Sequence, residues 1–438
     1  MESHRKDSGK PLFLECYGSM AESLSPVFDR MPKYAWIMKL LLEPERSIIF
    51  RVAWLDDTGV SRVNRGFRIQ YSSALGPYEG GTSFHPLLGL GVMKAHAFES
   101  TFSNALVGLS TSDGLTADSF GGAYGGADFN PYNKSENEIQ RFCQSYMTEL
   151  SKYIGHEVDL PGMGDGCTPV EIGYMYGQYK RINEHYGRVG RGLLWGGTPR
   201  QMQATGFGIV YFANTMLKDK GLDLKGKRCI ITGSNYIAMA VAEKILELGG
   251  VPITMSDSFG HVYEPDGIDA SKMKAIKKVK AERGTRIGRY IISSTTAKYN
   301  EYENVFDIPC DYVFNCSRVN VMTADNVSTL SENGCKMIAE GAMATTDPAA
   351  IKKAQKKGIL LAPYKAAGCA GAMVNGIAIE DKILSPLNEI ELEQKMEAIY
   401  HNVKATATEF NKRGDFHAGA NIAAFLRVAD AMLAHGSV

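Results

Sequence analysis

Cys229-Ile230-Ile231-Thr232 runs directly into Gly233-Ser234-Asn235-Tyr236-Ile237-Ala238, and this junction carries the residue types that hold a phosphate. An apolar strand, a glycine turn and then a helix aim backbone N–H groups at an anion. A second strand and an acid, Asp257, follow roughly twenty residues past the turn, which is the layout of a dinucleotide-binding unit. The turn is altered, however. Gly233 holds the first glycine position, but Asn235 stands at the second, where a missing side chain lets backbone approach a pyrophosphate. Asparagine tolerates a left-handed backbone, so the turn itself is expected to survive. The Asn235 side chain and the Tyr236 phenol are expected to crowd the phosphate. A nucleotide layer kept for folding alone, with no ligand, fits the same residues. Neither the nine histidines nor the eight cysteines fall at metal-ligand spacing, so no metal site is expected.

The elements that position this junction follow from periodicity. Residues 47–55 (SIIFRVAWL) are β-branched and aromatic and predict a strand. Asp56-Asp57-Thr58-Gly59 predicts a turn, and 65–71 a second strand. Residues 93–109 and 136–153 carry apolar positions at helical spacing. Lys225-Gly226-Lys227 opens the nucleotide pattern: strand 229–232, helix 237–248, Gly249-Gly250 as its stop, and strand 252–255. Residues 311–314, 336–338 and 360–361 supply later strands. The tail from 376 is helical and ends in an amphipathic helix near 422–435. The expected fold class is α/β with two domains. Residues 1–200 plus 376–438 form an α/β oligomerisation and substrate domain. Residues 201–375 form a Rossmann-like dinucleotide-binding domain, with a cleft between the two.

Composition excludes several roles. Lys plus Arg is 48 and Asp plus Glu is 48, so no charge excess points to nucleic acid or to a membrane surface. No apolar run is long enough to span a bilayer, and the first residues, MESHRKDSGKPLF, lack the apolar core of a secretion signal. Scattered thiols without a CxxC pair fit a reducing, cytoplasmic compartment, with a removed organelle signal left open.

Longer stretches carry a resemblance. GFRIQYSSALGPYEGG at 66–81, FHP at 84–86, RFCQSYMTEL, EIGYMYGQYKR at 171–181 and GDFHAGANIAAFLRVADAML resemble the hexameric, small-subunit glutamate dehydrogenases in order and spacing. The resemblance implies a homo-hexamer, or a hetero-oligomer with an active paralogue. It also implies NADP as the nucleotide. Ser256-Asp257-Ser258 matches a triplet whose hydroxyls meet a 2′-phosphate, Lys134 stands where the family places a basic residue near it, and Thr205 matches a nicotinamide contact. Asp257 capping its own turn and Thr205 packing in a helix explain the same residues equally well.

The resemblance breaks at the chemistry. Glu79 replaces the lysine of the family's PYKGG, Ser103 that of TFKNAL, and Tyr124 the catalytic lysine of GGGKGG. Gly164 aligns with the catalytic aspartate, and Asp165, one residue on, is the substitute in reach. Asn375 replaces a substrate-binding serine, and Gly368-Cys369 replaces Asn-Ala. A polar insertion at 110–120 precedes the glycine run and is expected to cover the site. The favoured expectation from these losses is a pseudoenzyme, structural or regulatory, with no expected catalytic residue and no or weak NADP. Two alternatives stand beside it: an active NADP-dependent glutamate or amino-acid dehydrogenase with a rearranged site, and a non-catalytic NADP(H) sensor.

Overall fold

The computed structural model describes residues 10–110, 120–155, 157–183, 199–317, 321–377 and 388–436. The chain divides into two compact units, residues 1–201 with 372–386 and 421–438, and residues 202–371 with 387–420. Residues 387–420 therefore group with the second unit, whereas the sequence reading gives everything past 376 to the first.

The first unit is built on a five-stranded sheet. Its strands are β1 (Arg46–Leu55), β2 (Ser61–Ser72), β3 (Tyr78–Phe84), β4 (Gly121–Ala127) and β5 (Asp159–Gly162), in the order β1-β2-β4-β3-β5. The first two form the expected hairpin around the Asp56–Gly59 turn, where Asp56 Oδ1 accepts from the Thr58 and Val60 N–H groups. Alternation decides the faces. Phe50 and Phe84 pack with Tyr146 of the Glu136–Leu150 helix on one side. Tyr71 meets Phe98 of the Leu90–Val107 helix on the other.

The glycine run at 121–126 folds as β4, near the middle of the sheet, where the sequence reading has a loop. Glycine is a poor strand former in isolation. Here close packing requires it. A Cβ on Gly122 would lie 2.1 Å from Thr101 Oγ1, and one on Gly126, at φ +151°, would lie 2.0 Å from the Ser83 carbonyl. The missing side chains let β4 sit against β3 and the Leu90–Val107 helix.

The second unit carries a parallel sheet and a small antiparallel one. The parallel strands are β6 (Arg228–Thr232), β7 (Val251–Pro252), β11 (Tyr312–Asn315), β12 (Met337–Glu340) and β13 (Leu360–Ala362), in the order β13-β12-β11-β6-β7. The antiparallel strands are β8 (Thr254–Asp257), β9 (Gly260–Tyr263) and β10 (Lys298–Glu301). Ile230, Val313, Ile338 and Leu361 point from four parallel strands into one buried cluster. Strand order reverses between β6 and β11, so the crest beyond their carboxyl ends is where an open α/β sheet takes a ligand. Among the described residues, no helix is long and apolar enough to cross a membrane.

Candidate active site

The nucleotide crest is better formed than its sequence promises. Gly233 leaves β6 at φ +84°, and its N–H donates to Ser256 Oγ at 2.7 Å. A Cβ there would lie 3.1 Å from the Cys316 carbonyl, so the turns after β6 and β11 touch. Asn235 is not left-handed: its backbone is extended at φ −78° and ψ 177°. Its side chain caps the Tyr236–Glu247 helix, Oδ1 accepting from Ala238 N at 2.9 Å. Its Nδ2 donates to the Cys316 carbonyl at 3.4 Å. A cap of this kind contributes about 1 kcal/mol. The residue that looked like an obstruction is thus folded down onto the helix start. Tyr236 is 45% exposed at the first helical position, and Ser234 beside it is buried. The cap takes the Ala238 N–H and leaves those of Tyr236 and Ile237, earlier on the first turn, to serve an anion.

Asp257 is spent on structure, Oδ1 accepting from Phe259 N at 2.9 Å and Oδ2 from Ile287 N at 2.6 Å. That second bond ties a basic stretch, which sequence reasoning missed, to the turn of Asp257 and Phe259. Arg286 lies 3.6 Å over the Phe259 ring. Lys280 donates to the Thr285 carbonyl at 2.8 Å. Burial lowers the Lys280 ammonium from its ordinary value, and Asp257 pulls it back. These groups, with Ser256 and Ser258, have the donor chemistry for a 2′-phosphate. Thr205 is buried in the Pro199–Lys218 helix, whose Gly206 approaches Ile237 and Ala240 so closely that a Cβ would sit 2.6 Å from Ala240 Cβ. Lys134 belongs to the first unit, 3.9 Å from Glu138 and over the Trp54 ring.

In the first unit, β3 and β4 bring two of the altered residues, Glu79 and Tyr124, to the sheet face under the Leu90–Val107 helix, which carries a third, Ser103. Glu79 is 4% exposed, and Asn104 Nδ2 donates to its Oε2 at 3.0 Å. Ser103 precedes Asn104 on the helix and is half-buried. Tyr124 stacks on His96 of the same helix at 4.5 Å between ring centroids. Its hydroxyl lies 2.9 Å from Ser83 Oγ, and Ser83 Oγ accepts from Asp165 N at 3.1 Å. Burial pushes the Tyr124 phenol up to about 12, with the Ser83 hydrogen bond working against that rise. His96 and Ser103 are seven apart, two turns along one helix face, a spacing that could have revealed them as a pair.

Asp165 lies at the rim. Its surface is exposed, while the protein on its other sides raises its carboxyl above the ordinary value; His85 and the Gly166 N–H oppose the rise. An aspartate at Gly164 does not fit this backbone, since its Cβ would lie 2.4 Å from the Thr82 carbonyl and 2.6 Å from Ser83 Oγ. Gly368 ends a short helix and Cys369 is buried, its thiol pushed up to about 12 by burial. Cys316 is fully buried with a raised thiol, which fits a packing role. Residues 111–119 of the insertion and the Asn375 side chain lie outside the described residues. Among the described residues, no cluster of His, Cys, Asp and Glu is arranged to hold a metal.

Residues 196–436 match the glutamate/leucine/phenylalanine/valine dehydrogenase family, and residues 44–181 match its dimerisation domain. The chain belongs to this family. It is 41% identical to an NADP-specific glutamate dehydrogenase of Chlorella sorokiniana, across 100% of this chain and 83% of that protein. A Helicobacter pylori enzyme of the same name is 40% identical across 94% and 93%. A solved Plasmodium falciparum glutamate dehydrogenase superposes with a TM-score of 0.90 at 37% identity, covering 99% of this chain and 93% of the other. Glutamate dehydrogenase 2 of that organism gives 0.86 at 38%, covering 100% and 95%.

Two expectations fall here. Full-length similarity to proteins named as NADP-specific enzymes runs against a pseudoenzyme, and against no or weak NADP. The physical error in the second is plain: crowding at the turn was inferred from residue type, whereas Asn235 points into a helix cap and Tyr236 outward. The first expectation counted lost lysines alone and left out the hydrogen-bonded group of Tyr124, Ser83 and the Asp165 N–H.

Proposed function

We propose that this protein is an NADP-dependent amino-acid dehydrogenase, interconverting an amino acid and its 2-oxo acid at a rearranged site. The observation that carries this reading is the crest at the β6/β11 reversal. Its glycine turn is left-handed, its helix start is capped, and a lysine and an arginine flank the turn of Asp257 and Phe259. Gly233, Ser234, Tyr236 and Ile237 would hold the pyrophosphate. Ser256, Ser258, Lys280 and Arg286 would hold the 2′-phosphate. When bound, NADP accepts or supplies the hydride. Asp165, with its raised carboxyl at the rim, exchanges protons with the amine or with water. Ser83 and Tyr124 present hydroxyls to the reacting carbon's substituent. Glu79 puts an acid where the family places a substrate-anchoring lysine. It therefore disfavours a side-chain carboxylate and turns selectivity toward substrates other than glutamate.

The test is NADPH oxidation by purified protein with ammonium and a panel of 2-oxo acids bearing anionic, aliphatic, aromatic and amino side chains. The expected result is ammonium-dependent turnover, higher with neutral or cationic side chains than with 2-oxoglutarate. No NADPH binding by calorimetry, or no turnover with any of the panel, would overturn the reading.

The family resemblance and the match to a dimerisation domain support self-assembly, with a homo-hexamer as the proposed state. The long edge strand β1 leaves Ile49 and Leu55 each 50% exposed, and Val63 on β2 is 64% exposed. A symmetric contact would cover such a face. Light scattering should give about six times the chain mass; a stable monomer at micromolar concentration refutes the assembly.

A further inference from the structure

We propose that Tyr124 is the proton donor of this site, delivering its phenolic proton to the carbonyl oxygen of a 2-oxo acid, so that the protein reduces 2-oxo acids directly to 2-hydroxy acids. The inference rests on the dehydrogenase reading above. Its basis is a hydrogen-bonded chain that ends on the Tyr124 phenol. The Asp165 N–H donates to Ser83 Oγ at 3.1 Å and occupies one acceptor site of that hydroxyl. Ser83 Oγ and Tyr124 Oη are 2.9 Å apart. When Ser83 donates to the phenol oxygen, the Tyr124 proton is released toward a bound acceptor. Each donor in such a chain polarises the next. The ring itself is fixed, since His96 stacks on it at an interplanar angle of 28° and Gly81 lies under it. A Cβ on Gly81 would come 2.8 Å from Tyr124 Cε2.

The chemistry differs from that of an amine at the same place. Burial pushes this phenol up to about 12, so it is neutral near pH 7. A neutral phenol gives a proton and does not take one, so it assists protonation of oxygen better than the base-dependent steps of amination. The step balances. A bound reduced nicotinamide would supply the hydride for the carbonyl carbon; the C=O π pair would then move onto oxygen, which would take the Tyr124 proton. The phenolate regains a proton from water. One 2-oxo acid, one reduced nicotinamide and one proton yield one 2-hydroxy acid and one oxidised nicotinamide.

The experiment compares wild type with Tyr124→Phe, which keeps the ring and its stacking. Each is given NADPH and the 2-oxo acid panel in ammonium-free buffer, and products are resolved by chromatography. The expected result is one 2-hydroxy acid per NADPH oxidised, with a rate about 10²–10⁴-fold lower in Tyr124→Phe. A second measurement needs no cofactor. In calorimetric titration of a 2-oxo acid into the nucleotide-free protein, Tyr124→Phe should weaken affinity about two- to tenfold. Thermal midpoint and NADPH affinity should stay unchanged. Turnover that requires ammonium and yields only amino acid overturns this inference and leaves the dehydrogenase reading standing. So does an ammonium-free rate that Tyr124→Phe does not lower. Absence of NADPH binding overturns that reading, and this one with it.

Discussion

Arg68→Met should destabilise the first unit by about 3–5 kcal/mol, the usual cost of removing one partner from a buried ion pair. Arg68 is fully buried beneath the sheet. Its Nε donates to Asp159 Oδ2 at 2.9 Å and its Nη2 to Asp159 Oδ1, a two-pronged match. Its Nη1 reaches the Gly80 and Gly81 carbonyls at 3.2 and 3.1 Å. Burial works against the guanidinium's charge, but Asp159 more than offsets this, so its pKa is raised. One side chain thus ties β2 to β3 and β5 and fixes the backbone that follows Glu79. Methionine fills much of the volume but leaves the Asp159 carboxylate buried, with Gln70 Nε2 at 2.9 Å among its remaining donors. Urea unfolding followed on the first unit's transition measures the loss. Adding Asp159→Leu should recover part of it, because removing both charges also removes the uncompensated one. A loss below about 1 kcal/mol for the single change, in the range of ordinary surface pairs, would refute the bracing role.

The second large effect is on nucleotide choice. Lys280→Ala with Arg286→Ala should weaken NADPH binding about 10²–10⁴-fold and leave NADH binding nearly unchanged. A hydrogen bond to a charged group contributes about 1.5–3 kcal/mol, and the double change removes two such donors from one phosphate. Arg286 is already ordered over Phe259 at 3.6 Å, and Lys280 is half-buried with its ammonium on the Thr285 carbonyl at 2.8 Å. Neither pays the full cost of immobilisation when a ligand arrives. Fluorescence titration of both nucleotides, with thermal midpoints as the check on folding, separates the outcomes. Equal loss for NADH and NADPH would place the pair elsewhere than at the 2′-phosphate.

What the sequence revealed depended on how local the signal was. The β1–β2 hairpin and the β6–helix–β7 layout were legible because alternation and turn residues are properties of a few neighbouring positions. The glycine strand β4 was not, because its stability comes from Thr101 and Ser83, far off in sequence, accepting a backbone with no side chain. Asn235 was misread because residue type does not give rotamer: its carboxamide serves its own helix rather than a ligand path. Lys280 and Arg286 belong to a basic stretch that reads as a solvated helix end. The bond from Ile287 N to Asp257 ties that stretch to the turn that carries Ser258. Glu79 and Tyr124 were visible as departures from a family pattern, but their new partners, Asn104 for the first and His96 and Ser83 for the second, appear only in three dimensions.

The buried Arg68–Asp159 pair lies on one side of the sheet, while Glu79 and Tyr124 face the other, toward the Leu90–Val107 helix. Heredity can therefore act on the two sides separately. Substitutions on the helix side rewrite what is recognised and how protons move, without touching the cross-link that keeps β2, β3 and β5 in register. A sheet divided in this way is evolvable at its centre: its reaction can drift through several intermediates, each of which still folds and assembles and so remains available to selection.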